Sequence, residues 1–239
     1  MLVAAAVCPC PPLLVPEVAA GAASELDDAR TACRDALGVL AAARPDLLIV
    51  VGPAEAEAEG PYPAGATGSF EGFGVGLSVR LGSPPGDTAP VGRRLPASLT
   101  VGAWLLDRAR WSDAVVEGLA VGERLPADSC ALAGKELAAR ADRVALLVMG
   151  DGSACRTVKA PGYLDERAVD FDTTVTRALG DADLAALNSL DASLAYALKV
   201  AGRASWQVLA GAAEGAGLAG QLLYADAPYG VGYTVAAWS

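Results

Sequence analysis

The sequence LVAAAVC at residues 2–8 is an uninterrupted apolar run, and the proline-rich segment PCPPLLVPE at residues 9–17 ends it. A short apolar run without polar alternation is typical of a strand that is buried on both faces of a sheet. Two further runs have the same form, LLIVV at residues 47–51 and VALLVM at residues 144–149, and a glycine follows each. These runs predict an α/β fold with a mostly parallel central sheet that is flanked by helices.

The rest of the chain fits an alternation of strands and helices. Apolar residues at a spacing of three to four positions predict helices at 21–43, 98–109, 129–141, 165–179, 182–187, 192–200 and 205–213. Shorter apolar runs predict strands at 75–81, 114–121, 218–224 and 231–237. The length of 239 residues fits one α/β domain or two small ones, and without an internal repeat we expect a single domain over residues 1–239.

The composition excludes several classes of function. The chain has no histidine, which rules out a Ser-His-Asp or Cys-His nucleophile, a zinc helix of the H-E-x-x-H type and an iron centre built on two histidines. A net charge of −10 argues against nucleic acid as the main partner. Five scattered cysteines favour a reducing, cytoplasmic location. No stretch reaches the roughly 18 uninterrupted apolar residues of a membrane span, so no membrane partner is expected.

Three loops are candidates for a functional site, since ligands of open α/β sheets bind outside the carboxyl ends of the strands. They cover residues 8–17, 52–55 and 150–156, and each follows a strong strand signal. The long segment 52–76 interleaves aromatic residues with glycine and proline, which indicates an ordered excursion near a site. Gly52 and Pro53 at its start, and Tyr229 on a later Gly/Pro loop, are therefore predicted to contact a ligand.

Two cysteines of the first loop allow two interpretations. Cys8 and Cys10 are two residues apart, so an extended backbone would present both thiols on one side, as ligands for zinc or copper or as redox groups. The structural alternative is that Cys8 ends a buried strand and that Cys10 is a small residue in a rigid proline turn.

The third loop carries the remaining polar candidates. Asp151 lies between two glycines and could serve as a general base, and Ser153 could hydrogen-bond a ligand. Arg156 and Lys159 are candidates to hold an anionic group. The alternatives are a glycine turn with a helix cap for the first pair and a solvated loop for the second.

At these loops the chain resembles the LigB-like family, which has the fold of the class III extradiol ring-cleavage dioxygenases and includes the MEMO-type proteins. The motifs are CPCPPLLVPE at 8–17, GDGSA at 150–154 and APYGVGY at 227–233. They are most similar to a divergent, alanine-rich bacterial group without the metal-ligand histidines, and the similarity covers most of the chain. The resemblance implies a LigB-like, phosphorylase/hydrolase-like three-layer architecture.

The resemblance also implies which residues occupy the positions of the iron site. The family's turn H-x-P-L-L matches the segment that begins at Cys10, its S-P-H places Ala54 at the second ligand, and its L-S-H places Ala154 at the acid-base histidine. Ring cleavage by non-haem Fe(II) requires two imidazoles and a carboxylate. The resemblance thus implies the pocket, whereas the residues argue against Fe(II) as a cofactor.

Two functions follow as expectations. The first is a pseudoenzyme that needs no cofactor and binds a small anionic molecule or a protein partner in the retained cleft. The second is an enzyme of different chemistry that uses Cys10 and Asp151, with or without zinc or copper. A dioxygenase completed by a second protein that supplies the missing ligands is the weakest interpretation, and formation of a homo-oligomer stays open.

Overall fold

The apolar runs of the sequence lie side by side in one sheet of a computed structural model that describes residues 1–83 and 92–239. The strands of the central sheet are β1 Leu2–Cys8, β2 Leu47–Ala54, β3 Gly60–Tyr62, β6 Val115–Gly122, β7 Val144–Met149, β8 Gly220–Asp226 and β9 Tyr233–Trp238. Two short strands, β4 Thr67–Ser69 and β5 Ser78–Arg80, pair with each other in a separate sheet.

The central sheet has the order β3-β6-β2-β7-β1-β9-β8. β6, β2, β7 and β1 are parallel neighbours, β3 and β9 run against them, and β8 pairs antiparallel with β9. β8 therefore runs in the same direction as β1, and five of the seven strands point in one direction. The carboxyl ends of β1, β2 and β7 lie together at one edge, because β7 lies between the other two.

Helices cover both faces of this sheet. They are α1 Pro16–Ala19, α2 Asp27–Ala42, α3 Ala97–Arg108, α4 Ala127–Ala138, α5 Arg167–Gly180, α6 Leu184–Asn188, α7 Ala192–Ala197 and α8 Arg203–Ala213. One apolar core lies between the sheet and α2 and α3, and a second lies between the sheet and α4 to α8. This arrangement confirms the α/β class and the three-layer architecture.

Two predicted elements differ from the structure. The predicted strand at 75–81 contributes only Ser78–Arg80, which pairs with β4 and packs on α3 instead of joining the central sheet. The predicted helix at 21–43 begins as a 3-10 helix over Ala20–Leu26, and α2 starts at Asp27. Asp27 and Asp28 then occupy the first turn, where the positive end of the helix dipole favours carboxylates.

The strand β9 is an interior strand although it comes last in the sequence. Its six residues are all buried, it pairs with β1 on one side, and β8 pairs with it on the other. Among the residues that the structure describes, no helix combines the length and apolar character that a membrane crossing requires.

Candidate functional site

The loops after β1 and β7 meet at the carboxyl edge of the sheet. The backbone N–H of Cys10 donates a hydrogen bond of 2.8 Å to Oδ1 of Asp151, and the N–H of Gly150 donates to the carbonyl of Cys8 at 3.0 Å. The backbone carbonyl of Asp151 accepts from the N–H of Gly202 just before α8. The structure therefore brings Cys10 and Asp151 together, as the sequence predicts.

A cavity of about 360 Å³, which we call the edge cavity, opens beside this contact. Its lining combines the loop after β1, the end of β2, the segment that follows β2, the start of α3 and the turn after β6. The lining residues are Cys10, Pro53, Ala54, Glu55, Ala58, Pro96, Ala97, Ser98 and Glu123. The first two of the three predicted loops thus share one cavity of the size that small-molecule sites have.

The start of α3 approaches β2 closely because Gly52 has no side chain. A Cβ atom on Gly52 would lie 2.6 Å from Oγ of Ser98, and that hydroxyl donates a hydrogen bond of 2.6 Å to the carbonyl of Pro53. Gly52 itself is buried inside β2, which extends to Ala54. Its role here is to make room for α3, and Pro53 lines the cavity directly.

The edge cavity has two kinds of polar group. α3 begins after Pro96 without a side-chain cap, so the amides of its first turn form the positive end of a helix dipole at the cavity. Glu55 and Glu123 are exposed carboxylates that also line the cavity. The lining can therefore hold an anionic group at α3 and accept hydrogen bonds elsewhere.

Both thiols of the first loop are held in the neutral form. Burial, and to a lesser extent the nearby Asp151 carboxylate, raise the pKa of Cys10 well above its usual range. A hydrogen bond with the Cys33 thiol, together with burial, raises the pKa of Cys8 in the same direction. Cys8 is fully buried beneath α2, whereas Cys10 lines the cavity. A neutral thiol is a weak nucleophile.

The carboxyl group of Asp151 titrates near neutrality. Burial raises its pKa to about 7, while the hydrogen bond from the Cys10 N–H acts in the opposite direction. A group with this pKa can accept or release a proton at neutral pH, which suits a general acid or base.

Ser153 and Arg156 contact a carboxylate that the sequence interpretation missed. Asp172, a buried residue of α5, accepts hydrogen bonds from the N–H of Ser153 at 2.8 Å and from its hydroxyl at 2.7 Å. It also accepts from Nη1 of Arg156 at 3.1 Å. Gly152 and Gly232 leave space for this carboxylate, since a Cβ on either would lie within 3 Å of it. In the sequence, the only signal for this buried carboxylate was the presence of glycine at 152 and 232.

The remaining predicted ligand residues lie outside the edge cavity. Arg156 lines a different cavity, of about 430 Å³, between α5 and the β8–β9 pair. Lys159 is exposed on the loop after β7. Tyr229 packs against the core on the α2 side, where burial and the neighbouring Glu25 raise the pKa of its phenol. The predicted cationic clamp for an anion therefore does not form at the cleft.

The residues that the resemblance aligns with the histidines of the iron site do not all line one cavity. Cys10 and Ala54 line the same cavity, but Ala154 is outside it, with its N–H donating to the carbonyl of Leu198. Within residues 1–83 and 92–239, no group of three or more histidine, cysteine, aspartate or glutamate side chains is arranged to hold a metal ion. A neutral thiol and two alanines at these positions do not fit Fe(II), which prefers imidazole and carboxylate ligands.

Comparison with known proteins gives a structural match alone. No model of a known protein family matches the chain, and no curated protein matches its sequence. A solved structure, that of the uncharacterized protein JW3007 from Escherichia coli K12, is similar with a TM-score of 0.56 at 16% sequence identity. The match covers 99% of this chain and 99% of that one. This chain therefore shares the complete fold of that protein.

Proposed function

We propose that this protein binds a small anionic molecule in the edge cavity and does not cleave catechols. The observation that carries the proposal is the shared cavity, because Cys10 from the loop after β1 and Pro53 and Ala54 from the end of β2 line one space of about 360 Å³. The sequence resemblance to LigB-like proteins, in which these loops bear the metal ligands, supports the same location. A pseudoenzyme role agrees with the alanine at position 54 and the neutral thiol at position 10.

The lining suggests the chemistry of the ligand. The first-turn amides of α3 favour a carboxylate or phosphate, and this attraction does not require Arg156 or Lys159. Glu55 and Glu123 favour hydroxyl or ammonium groups on the rest of the molecule. Small hydroxy acids and sugar or glycerol phosphates combine both features.

Thermal unfolding with lactate, malate and glycerol 3-phosphate tests this proposal. A ligand present at 100 times its dissociation constant stabilises the folded state by about 2.7 kcal/mol. For a chain of this size we expect at least one probe to raise the Tm by roughly 5 °C or more. Ala54→Phe fills the edge cavity and should abolish the shift.

The matched control is Ala56→Phe, because Ala56 is exposed close to Ala54 and lies outside the lining. This variant should keep the wild-type shift. Absence of any shift in the wild type, or an equal shift in Ala54→Phe, would overturn the proposal. Oxygen uptake with catechol after addition of Fe(II) should stay at the background rate.

The titration of Asp151 favours a second candidate function, an enzyme of different chemistry. Its pKa of about 7 and its hydrogen bond with the backbone of Cys10, which lines the edge cavity, would let it transfer a proton next to that cavity. Zinc or copper held by Cys8 and Cys10 would have to displace both thiol protons, which burial opposes.

Hydrolysis of 4-nitrophenyl acetate and metal analysis of protein purified without chelators test the second candidate. The second candidate function requires one of two results. Either the hydrolysis rate rises with pH, with a midpoint near pH 7, and is lost in Asp151→Asn, or the protein contains bound metal that is lost in Cys10→Ser. The second candidate would be ruled out if the protein contains no metal and its hydrolysis rate is unchanged in Asp151→Asn and in Cys10→Ser.

A further inference from the structure

A further cavity, of about 310 Å³, lies between α2 and α3, and Pro16, at the end of the first of the three loops, also lines it. We call it the arginine pocket. Its lining residues are Pro16, Arg30, Arg34, Leu37, Trp104, Leu105, Arg108 and Ala109. The residues at 30, 34 and 37 share one side of α2, and those at 104 and 108 share one side of α3, so both helices turn a basic face to the same space.

The three guanidinium groups differ in the number of hydrogen bonds and ion pairs that they already form within the protein. Nη1 of Arg30 donates to the carbonyl of Leu14 at 3.2 Å, and its Nη2 forms an ion pair of 2.6 Å with Asp27. Arg108 forms one exposed ion pair of 3.0 Å with Glu17. Arg30 therefore has a structural role, and Arg108 retains donors for a ligand.

Arg34 is the most available of the three. Its side chain makes one long hydrogen bond of 3.4 Å to the hydroxyl of Thr31. Among the described residues, no carboxylate lies within ion-pair distance of it. Because Arg30 and Arg108 are each paired with one carboxylate, Arg34 supplies the charge of the pocket that is not balanced by an ion pair, and this charge would attract an anion locally.

The floor of the arginine pocket is apolar. Leu37, Trp104 and Leu105 line it although each is at most 5% exposed, and the guanidinium carbon of Arg108 lies 5.5 Å from the centre of the Trp104 ring. A guanidinium over part of an aromatic ring can pair with an anion while the body of the ligand packs on the remaining apolar surface.

We propose that the arginine pocket binds a small planar organic anion, a carboxylate or a phosphate ester on an aromatic ring. The anionic group pairs with Arg34 and Arg108, and the ring packs on Trp104, Leu37 and Leu105. The volume is at the low end of the range for small-molecule sites, which suits one or two fused rings. This site is independent of the edge cavity.

Titration calorimetry with 2-naphthoate, 2-naphthyl phosphate and the uncharged 2-naphthamide tests the inference. We expect one saturable site for the anions, weaker binding at high salt, and binding of the amide that is about tenfold weaker or absent. Arg34→Met and Arg108→Met should each weaken anion binding about tenfold, as expected for loss of a charged hydrogen-bond donor. Trp104→Phe should remove most of the fluorescence change on binding.

Arg140→Met is the matched control, because Arg140 also forms one exposed ion pair, with Glu117, and is outside the pocket. Its affinity should equal that of the wild type. A tighter complex with either anion supports the inference, and the order of the two affinities identifies carboxylate or phosphate as the natural group. The inference is overturned when neither anion binds, when Arg34→Met binds like the control, or when Ala54→Phe alone abolishes binding, which would assign the probe to the edge cavity.

Discussion

The buried carboxylate of Asp172 fixes the loop that follows β7. It accepts both hydrogen bonds that Ser153 can donate and pairs with Arg156, so two side chains that look like ligand donors in the sequence are engaged within the protein. A buried carboxylate needs such partners, because an isolated charge is costly to remove from water. The GDGSA motif is thus explained in part by the needs of this network.

Asp172→Ala should lower the free energy of unfolding by about 3 kcal/mol, since it leaves the Arg156 charge and the buried Ser153 hydroxyl without their partner. Urea denaturation measures this loss. Asp170→Ala changes an exposed carboxylate of the same helix and should cost less than about 0.5 kcal/mol. Equal losses in the two variants would contradict the role given to Asp172.

Asp151 makes the stability depend on pH in the opposite sense to most carboxylates. Its pKa is about 7 in the folded protein and near 3.8 in the unfolded chain, so the unfolded state releases its proton first. The contribution of this group to stability is present below about pH 4 and is lost as the pH rises to about 7.

Asp151→Asn keeps an acceptor for the Cys10 N–H and removes this titration. One unit of pKa difference is worth about 1.4 kcal/mol, and with an allowance for solvent access we expect Asp151→Asn to be about 2 kcal/mol more stable than the wild type at pH 8.5. At pH 4 the two proteins should be nearly equal. Urea midpoints at both pH values check this, and a constant difference across the range would rule out a raised pKa.

At the scale of elements, glycines allow two neighbouring helices to pack closely. α4 and α8 pack through Gly134 and Gly211, and a Cβ on Gly134 would lie 2.5 Å from the backbone nitrogen of Ala212. Backbone atoms cannot move aside as a flexible side chain can, so the two helices would have to separate.

Gly134→Ala should therefore destabilise the protein by about 2 kcal/mol or more, although alanine is the better helix former. Gly38→Ala, within α2, is the matched change, because no atom lies within 4 Å of its Cβ position. It should stabilise the protein by about 0.5 to 1 kcal/mol. Thermal unfolding of the two variants separates packing from helix propensity, and shifts of the same sign would contradict the close contact.

The sequence predicted correctly those strands that a continuous run of apolar residues defines. β1 and β7 begin and end as predicted, because continuous apolar runs end at proline or glycine. The segment 75–81 misled because its apolar residues pack on α3, and only the tertiary structure reveals that choice. The short helices α6 and α7 begin just after Asp183 and Asp191, whose side chains cap them.

At the scale of the whole molecule, the sequence predicted which loops meet at one edge of the sheet, but not which other residues line the cavity there. Strand ends placed Cys10, Pro53 and Asp151 at one edge, since parallel strands bring their carboxyl ends together. Ser98 at the start of α3 contacts Pro53, and Arg156 pairs with Asp172. Each contact joins residues from different elements, so no local sequence pattern predicts it. The arginine pocket was missed for the same reason.

The cavity shared by Cys10 and Ala54 allows a test of the resemblance at this scale. Cys10→His combined with Ala54→His should create a Co(II) site, because both positions line one space with the carboxylates of Glu55 and Glu123. We expect affinity at least about tenfold above either single variant, measured by visible absorbance.

The control pairs Cys10→His with Ala56→His, which introduces the same residue types with one of them outside the cavity. Circular dichroism verifies that each variant folds. Equal Co(II) affinity in the two double variants would mean that the loops after β1 and β2 do not present their residues to a common centre.

The interior position of β9 has a consequence for folding during protein synthesis. β1 and β7 leave the ribosome early and can pair while the chain is still growing, yet β1 keeps an open apolar edge until residues 233–238 arrive. β8 cannot join before then, because β9 lies between it and β1. A nascent chain that stalls near residue 213 would thus display an unprotected strand edge, which is a template for aggregation and a target for chaperones.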